Sequence, residues 1–311
     1  MKKFIVTTTI YEPTEATIKY AQMNDWHLIV VGDLKTPHDS YTTLQNRITY
    51  LSPNTQEVLY PELSKAIGWN CIMRRNIGFV HAYKMGADII ASVDDDNIPY
   101  ENWGKYVLVG EESLVDVWDC DSILAFDPMK MTNYPELWHR GYPISHLSLA
   151  KGLHYLGKQA KKILFQADLW DGDPDVDAVC RQMYWPRDLK LKVDYPFTSE
   201  LYMPFNSQNT FIAREAIPYY MVLPHVGRVD DIWGGYIAQY LLDTRPLFMP
   251  PTTYQKRNEQ SIKKNLEDEM YGYVHTDDLL MNIEDYVSLL PNRTAKALIE
   301  YRNEYDRIDN S

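Results

Sequence analysis

The sequence has little of what marks several protein classes. Its 311 residues include only three cysteines, Cys71, Cys120 and Cys180. Their odd number and wide spacing exclude a disulfide framework and a cysteine-built zinc site, and point to a reducing compartment. Positive charge is also scarce: 31 Lys and Arg stand against 43 Asp and Glu, for a formal net charge of −12. Nucleic-acid binding draws on clustered basic residues, so no nucleic-acid partner is expected. The acidic balance reads as solubility, and the pair Lys256 and Arg257 is a local basic spot able to meet a diphosphate. Long apolar runs are missing too. Lys2-Lys3 followed by Phe4-Ile5-Val6 opens like a signal peptide, but Thr7, Thr8, Thr9, Glu12 and Pro13 cut it short. No stretch is long enough to span a membrane, and the expectation is a soluble, cytoplasmic chain. There is no internal repeat and no low-complexity tract.

What is present suits a folded, enzyme-sized body: 45% of residues are apolar and 24% are charged. Phe4 to Ile10 is β-branched and apolar and reads as a strand. Thr14 to Asn24 reads as a helix with Ile18 and Ala21 on one face, and Trp26 to Val31 as a second strand closed by Gly32-Asp33. Strand, helix, strand favours a parallel α/β sheet. Met73, Ile77 and Val80 share a helical face, and Gly86 stops that helix. Asp88 to Val93 is a buried strand that runs into Asp94-Asp95-Asp96-Asn97, where Pro99 prevents its continuation. From Tyr100 to Tyr195 the expectation is loops with short helices and strands. Met203 to Ile212 reads as strand, Asp231 to Leu242 as helix, and Asp277 to Tyr305 as one or two amphipathic helices around Pro291. Composition shifts after Pro250-Pro251. This predicts a catalytic domain over 1–250 and a helical extension over 251–311.

The acidic run carries the strongest chemistry. Three adjacent carboxylates at a strand end repel one another, and a hard divalent cation such as Mg²⁺ or Mn²⁺ removes that repulsion while bridging to substrate phosphates. The plain alternative is a solvated acidic turn. Arg74-Arg75, at the start of the preceding helix, would reach a diphosphate, or else form a surface pair. Asp230 and Asp231 precede a helix in Gly227-Arg228-Val229-Asp230-Asp231-Ile232-Trp233. They are helix caps or, in the functional reading, a base or ligand for a sugar hydroxyl. Asp171, Asp173, Asp175 and Asp177 alternate without the spacing of a calcium loop. They form a polar loop or an acceptor contact. Trp138, Trp170 and Trp233 are core residues or faces for sugar rings.

These segments resemble a known family. Gly68 to Ala87 followed by Val93-Asp94-Asp95-Asp96 is similar to the STELLO-type glycosyltransferases. So are Pro174 to Asp177, Pro204 to Thr210, Met249 to Thr252 and the early stretch Asp25 to Pro37. A secondary resemblance, to the reversibly glycosylated polypeptides that act as UDP-arabinopyranose mutases, lies in Asp94 to Asp96, Arg140-Gly141-Tyr142-Pro143 and Gly227 to Trp233. Both resemblances imply a GT-A fold, here a mixed, mostly parallel α/β sheet with a C-terminal helical extension. They also imply a nucleoside-diphosphate sugar donor, UDP- or GDP-linked, a carbohydrate acceptor, and Mn²⁺ or Mg²⁺. On this basis Asp94 and Asp96 would hold the metal, and Asp95 the metal or ribose. Thr8 and Asp33 would contact the nucleotide and Arg74 and Arg75 the diphosphate. Asp231 would serve as base beside Asp230, with Arg140 on the donor. The expected reaction is metal-dependent glycosyl transfer. The alternatives are a nucleotide-sugar mutase, an Asp-x-Asp phosphotransferase built on Asp94 and Asp96, and a non-catalytic sugar binder. Two departures stand out. The plant STELLO proteins carry a membrane anchor for which no segment is seen here. They also show a His after the Pro-Pro-Thr, where this chain has Tyr254-Gln255-Lys256-Arg257, and a late His is a common metal ligand in GT-A enzymes.

Overall fold

The computed structural model describes residues 1–44, 47–256 and 261–310. β1 (Lys3–Thr9) is followed by α1 (Glu15–Ala21), β2 (His27–Gly32), α2 (His38–Thr42) and β3 (Ile48–Leu51). α3 (Pro53–Leu59) and α4 (Pro61–Ile67) each start on a proline, which has no N–H to leave unsatisfied in a first helical turn. α5 (Arg75–Lys84) then leads into β4 (Ile89–Val93). β3, β2, β1 and β4 lie side by side and pair in parallel. The chain therefore leaves β1 toward β2 on one side and returns to β4 on the other. A crevice opens at the carboxyl ends of strands where their order reverses in this way, and open α/β sheets bind ligands there.

The apolar residues of β1, β2 and β4 are buried on both faces, as expected for parallel strands covered by helices. α5 lies close over them. A Cβ on Gly78 would stand 2.4 Å from Val6 Cγ1 and 2.8 Å from Val31 Cγ2. Only a glycine lets the helix backbone approach this closely, and that approach aims the Arg75 end of α5 at the end of β4.

The rest of the chain widens the sheet. It supplies β5 (Asn97–Pro99), β6 (Glu112–Cys120), β7 (Leu153–Lys162), β8 (Phe165–Gly172), α6 (Ala178–Tyr184), β9 (Phe197–Ser199), β10 (Asn209–Ala213), α7 (Asp230–Leu242) and β11 (Leu247–Gln255). The strand order is β3-β2-β1-β4-β10-β8-β11-β9-β6-β7, with β5 paired to β11. β10 runs antiparallel to both β4 and β8, and β11 runs parallel to β8. α8 (Ile262–Met281), α9 (Tyr286–Leu289) and α10 (Asn292–Asp309) close the chain. They dock on the body: Tyr301 donates to the carbonyls of Ile217 and Tyr220, and Thr294 to that of Pro224. The architecture is the expected α/β one, a mixed sheet with C-terminal helices.

Several local expectations change. In α1 the buried face is Ala16, Thr17 and Tyr20, while Ile18 is exposed, because Tyr20 packs edge-on against Trp103. β4 stops at Val93 as expected, but a separate short strand follows the acidic run: Asn97–Pro99 forms β5 against Thr253–Gln255, with Pro99 at its last position. The region expected to be loops with short helices and strands holds the long antiparallel pair β6–β7 and the buried strand β8. β11 passes through Pro250 and Pro251 with a register shift between Met249 and Thr253, so residues 251–255 belong to the sheet. The three cysteines are free thiols. Among the described residues no helix is long and apolar enough to cross a membrane.

Candidate functional site

The reversal between β1 and β4 is where the acidic run lies. Asp95 is pinned between the end of β1 and the start of α1. Its carboxylate accepts from the Thr9 hydroxyl, and its carbonyl accepts from Thr14 Oγ1 at 2.5 Å. Burial raises the Asp95 pKa, and the Thr9 hydrogen bond opposes that rise. Thr8, the residue singled out from sequence, instead donates to the Val31 carbonyl at 2.9 Å. Alternation along β1 turns Thr9, not Thr8, to the site. Sequence periodicity placed the strand end one residue too far along to show this.

Asp94 is tied down. Arg75 Nη2 lies 2.5 Å from Asp94 Oδ1, and Arg75 Nη1 donates to the carbonyl and hydroxyl of Ser207 at 2.7 and 2.9 Å. Arg75 is 2% exposed. Burial alone would weaken its hold on its proton, but the Asp94 carboxylate outweighs this and raises its pKa. Arg75 thus sits beneath the acidic run and is not an open diphosphate ligand. Arg74 is fully buried and turned elsewhere, donating to Gln56, to the Ser64 carbonyl and hydroxyl and to the Gly68 carbonyl. It fastens α3 and α4 to the turn before α5. The expectation that Arg74 reaches a diphosphate is corrected by this burial. Asp33 is corrected likewise. It is 1% exposed, and its carboxylate accepts from the backbone N–H groups of Leu34, Asn70 and Cys71, which clamps a turn and leaves no face for ribose.

Asp96 faces β11. The backbone N–H of Lys256 donates to the Asp96 carbonyl at 3.0 Å. Gln255 Nε2 lies 3.5 Å from both Asp96 carboxylate oxygens. Gln255 is 5% exposed, and its Oε1 is a buried atom without a hydrogen-bond partner. Lys256 itself is exposed, and Arg257 lies outside the described residues. Among the described residues, no group of three or more His, Cys, Asp or Glu side chains could hold a metal ion. Asp94 and Asp96 therefore do not form a complete metal cage, and any cation here needs oxygens from elsewhere.

A buried chain of polar groups runs from Asp94 through Arg75 and Ser207 to the second acidic motif. The Ser207 N–H and hydroxyl donate to Asp231 Oδ2 at 2.9 and 3.1 Å. Asp231 Oδ1 accepts from Arg140 Nη2 and from the Ile232 N–H. Arg140 also grips Asp175 with two prongs, Nε to Oδ1 at 2.8 Å and Nη2 to Oδ2 at 2.9 Å. Its Nη1 donates to the Arg228 carbonyl and lies 3.7 Å from Asp230 Oδ1. Burial by itself would raise Asp231, but the Arg140 guanidinium overrides this and lowers its pKa. Asp230 is pushed well above the usual carboxylate range by burial and by the charge of Asp231. The two neighbours are thus pushed in opposite directions, as close buried carboxyl pairs are.

This geometry corrects two roles. Asp231 is 4% exposed and both oxygens already accept hydrogen bonds, so no acceptor hydroxyl can reach it as a base. Arg140 is buried with every nitrogen engaged, and does not face a donor. Both are framework groups that join α7 to the 204–210 segment. The alternating aspartates have separate duties. Asp171 takes Tyr100, Lys190 and the Leu191 N–H, Asp173 takes Arg181, Asp175 takes Arg140, and Asp177 caps α6. Trp138, Trp170 and Trp233 are core residues whose ring N–H groups bond Asp177, Asp173 and Thr276. Sequence reasoning gave no role to Thr9, Ser207 or Asp168. For Ser207, the resemblance over Pro204 to Thr210 was the available signal.

No family model matches the chain. It is similar over nearly its whole length to two proteins of Arabidopsis thaliana. The probable glycosyltransferase STELLO2 is 24% identical over 328 residues, which covers 99% of this chain and 40% of that protein. The probable glycosyltransferase STELLO1 is 24% identical over 327 residues, covering 97% and 39%. The chain thus spans about two fifths of the length of these relatives. Among solved structures it is similar to glucosyl-3-phosphoglycerate synthase of Mycobacterium tuberculosis in complex with phosphoglyceric acid, with a TM-score of 0.40 and 12% identity, covering 94% of this chain and 80% of that one. The same enzyme with Mn²⁺, UDP-glucose and glycerol 3-phosphate gives a TM-score of 0.37 and 11% identity over the same shares.

Proposed function

We propose that this chain is a GT-A-type glycosyltransferase that takes a sugar from a nucleoside-diphosphate donor at the carboxyl ends of β1 and β4. One observation carries the reading: Asp95 and Asp96 stand at the strand-order reversal, with Asp95 latched to Thr9 and Thr14 and Asp96 turned to β11. The likeness to the STELLO proteins across nearly the whole chain supports the same class. The residues present fit a hard divalent cation, because Asp96 supplies a carboxylate and such a cation needs only one or two carboxylates when phosphates complete its shell. In this reading Asp96 holds the cation, and Asp94, held by Arg75, keeps the turn in place. When bound, the metal screens the charge of the departing diphosphate. The bond that breaks joins the anomeric carbon to the diphosphate. The bond that forms joins that carbon to an acceptor hydroxyl, whose proton passes to a base.

A thermal-shift panel of UDP- and GDP-sugars, with and without Mn²⁺, tests this. At a hundredfold excess over Kd a ligand adds about 2.7 kcal/mol. For 311 residues that is about 4 °C. The expected result is one donor class that shifts the midpoint only with Mn²⁺. Product analysis without acceptor then separates transfer from mutation: interconversion of pyranose and furanose forms would replace the transferase reading with a mutase. No shift with any nucleotide sugar would refute both.

A further inference from the structure

A cavity of 290 Å³ lies away from the acidic run. Its wall includes Leu164, which leads into β8, and Thr244 and Arg245, which precede β11. β10 is antiparallel to both β4 and β8, so β4 and β8 run the same way, and β11 runs with β8. The cavity therefore lies at the amino ends of β8 and β11, whereas the acidic run stands at the carboxyl end of β4. The two are on opposite edges of the sheet. Lys161 and Lys162 from the end of β7 and Ser199 from the end of β9 also line it. Three cations, Lys161, Lys162 and Arg245, thus stand against two lining carboxylates, Glu200 and Asp243, in a chain whose formal net charge is −12. Lys161 is held by Glu200 at 2.8 Å, and Lys162 by Glu215 at 2.6 Å. Arg245 has no carboxylate within ion-pair distance among the described residues. Its Nε donates to the Glu200 carbonyl at 3.1 Å and its Nη1 to the Thr244 carbonyl at 2.8 Å, and the guanidinium lies over the Tyr202 ring, 4.4 Å from its centre. These contacts fix the group and leave Nη2 to the cavity. Burial lowers the Arg245 pKa. A cation partly stripped of water and without a counter-ion is costly until an anion is supplied. The Ser199 hydroxyl accepts from the Leu201 N–H at 3.1 Å and keeps its own proton to donate.

We propose that this cavity is a second ligand site, separate from the donor crevice, which takes a phosphate monoester no larger than a sugar phosphate. The phosphate group rests on Arg245 and Lys162, and the Ser199 hydroxyl donates to the same ligand. A planar guanidinium clamped on an aromatic ring presents its outer N–H groups in a fixed direction, which suits an oxyanion. Lys162 adds a mobile point charge, since its partner Glu215 is not part of the cavity wall. Small-molecule pockets span about 300–1,000 Å³. This one sits at the small end, which favours a sugar phosphate over a nucleoside-diphosphate sugar.

The test is calorimetric titration of the whole chain with glucose-6-phosphate, glucose and inorganic phosphate at matched, low ionic strength, without nucleotide or metal. Wild type should bind glucose-6-phosphate, bind inorganic phosphate more weakly and not bind glucose. Arg245→Met should weaken glucose-6-phosphate binding at least about tenfold, because a charge-assisted hydrogen bond is lost. Lys162→Met, at an exposed position that folding tolerates, should weaken it roughly threefold. It decides the matter if Arg245→Met does not fold. Asp96→Asn should bind glucose-6-phosphate as wild type does. Loss of binding in Asp96→Asn would place the ligand in the donor crevice and overturn the second site. Unchanged binding in both Arg245→Met and Lys162→Met, or no binding of glucose-6-phosphate by wild type, would also overturn it. Inorganic phosphate bound as tightly as the sugar phosphate would reduce the cavity to a bare ion site and refute the ligand class. None of these outcomes touches the donor-site reading, which the nucleotide-sugar panel tests separately.

Discussion

Replacing Arg140 separates a framework role from a catalytic one. In Arg140→Met the side chain keeps its bulk but loses the guanidinium, so Asp175 and Asp231 remain buried with no cation between them. Removing one partner of a buried pair costs about 3–5 kcal/mol, because the other charge is left uncompensated. Unfolding entropy near 2.1 cal/mol/K per residue gives about 0.65 kcal/mol per degree for 311 residues, so the midpoint should fall by about 5–8 °C. The pH dependence has a definite sign. Asp231 has a lowered pKa in the folded protein, so its contribution is present above the unfolded carboxylate value of about 3.9 and is lost as pH falls through the folded value. The gap between variant and wild type should therefore be full at pH 7 and shrink below about pH 4. Adding Asp175→Asn should recover part of the loss, because one of the two stranded charges is removed. Arg140→Lys should fall between the two, since it keeps the charge and loses the two-pronged grip. Calorimetric melts of these four proteins and of Asp175→Asn alone from pH 3 to pH 8, with donor turnover measured alongside, decide the matter. A midpoint within a degree of wild type, with no coupling in the double variant, would show that the network contributes no stability. An unshifted midpoint with lost turnover would return Arg140 to the donor.

Asp168 is buried, accepts from Gln166 and Thr252, and has its pKa pushed up to about 7 by burial. A carboxyl raised in the folded state makes stability fall as pH climbs from about 4 to about 7, so Asp168→Asn should be more stable than wild type at pH 8 by at most about 4 kcal/mol, with no advantage at pH 4. Denaturant melts at both pH values check this, and a difference that does not change with pH refutes it. Asp96→Asn should stay folded yet lose donor turnover and any Mn²⁺-dependent donor shift, while retained turnover in chelator would remove the metal from the reading. Gly78→Ala drives a methyl group into Val6 and Val31 and should cost about 1–3 kcal/mol, read as a lower midpoint with unchanged Mn²⁺ preference. An unchanged midpoint would mean that α5 can lift from the sheet without loss.

Elements whose information is local were legible in the sequence. β1, β2 and β4 are short runs rich in apolar and β-branched residues, α7 is a mainly apolar run long enough for a helix although it proves buried on every face, and the three carboxylates follow directly on a buried strand. A run of apolar residues ending in carboxylates has few stable settings other than a strand end at a ligand crevice. The partners of those carboxylates were not legible, because they come from distant segments. Arg75 meets Ser207 across 132 positions, Asp231 meets Arg140 across 91, and Asp96 meets Gln255 across 159. β7 escaped notice because its edge position leaves it solvent-exposed and without apolar alternation. β8 did so because Gln166 and Asp168 are polar residues buried only by virtue of their tertiary hydrogen bonds. Which charged residues are framework became visible only in the folded chain. A charge in sequence carries no record of its solvent exposure, and burial turned Arg74, Arg140, Asp33 and Asp231 into internal fastenings while leaving Asp96 at the crevice.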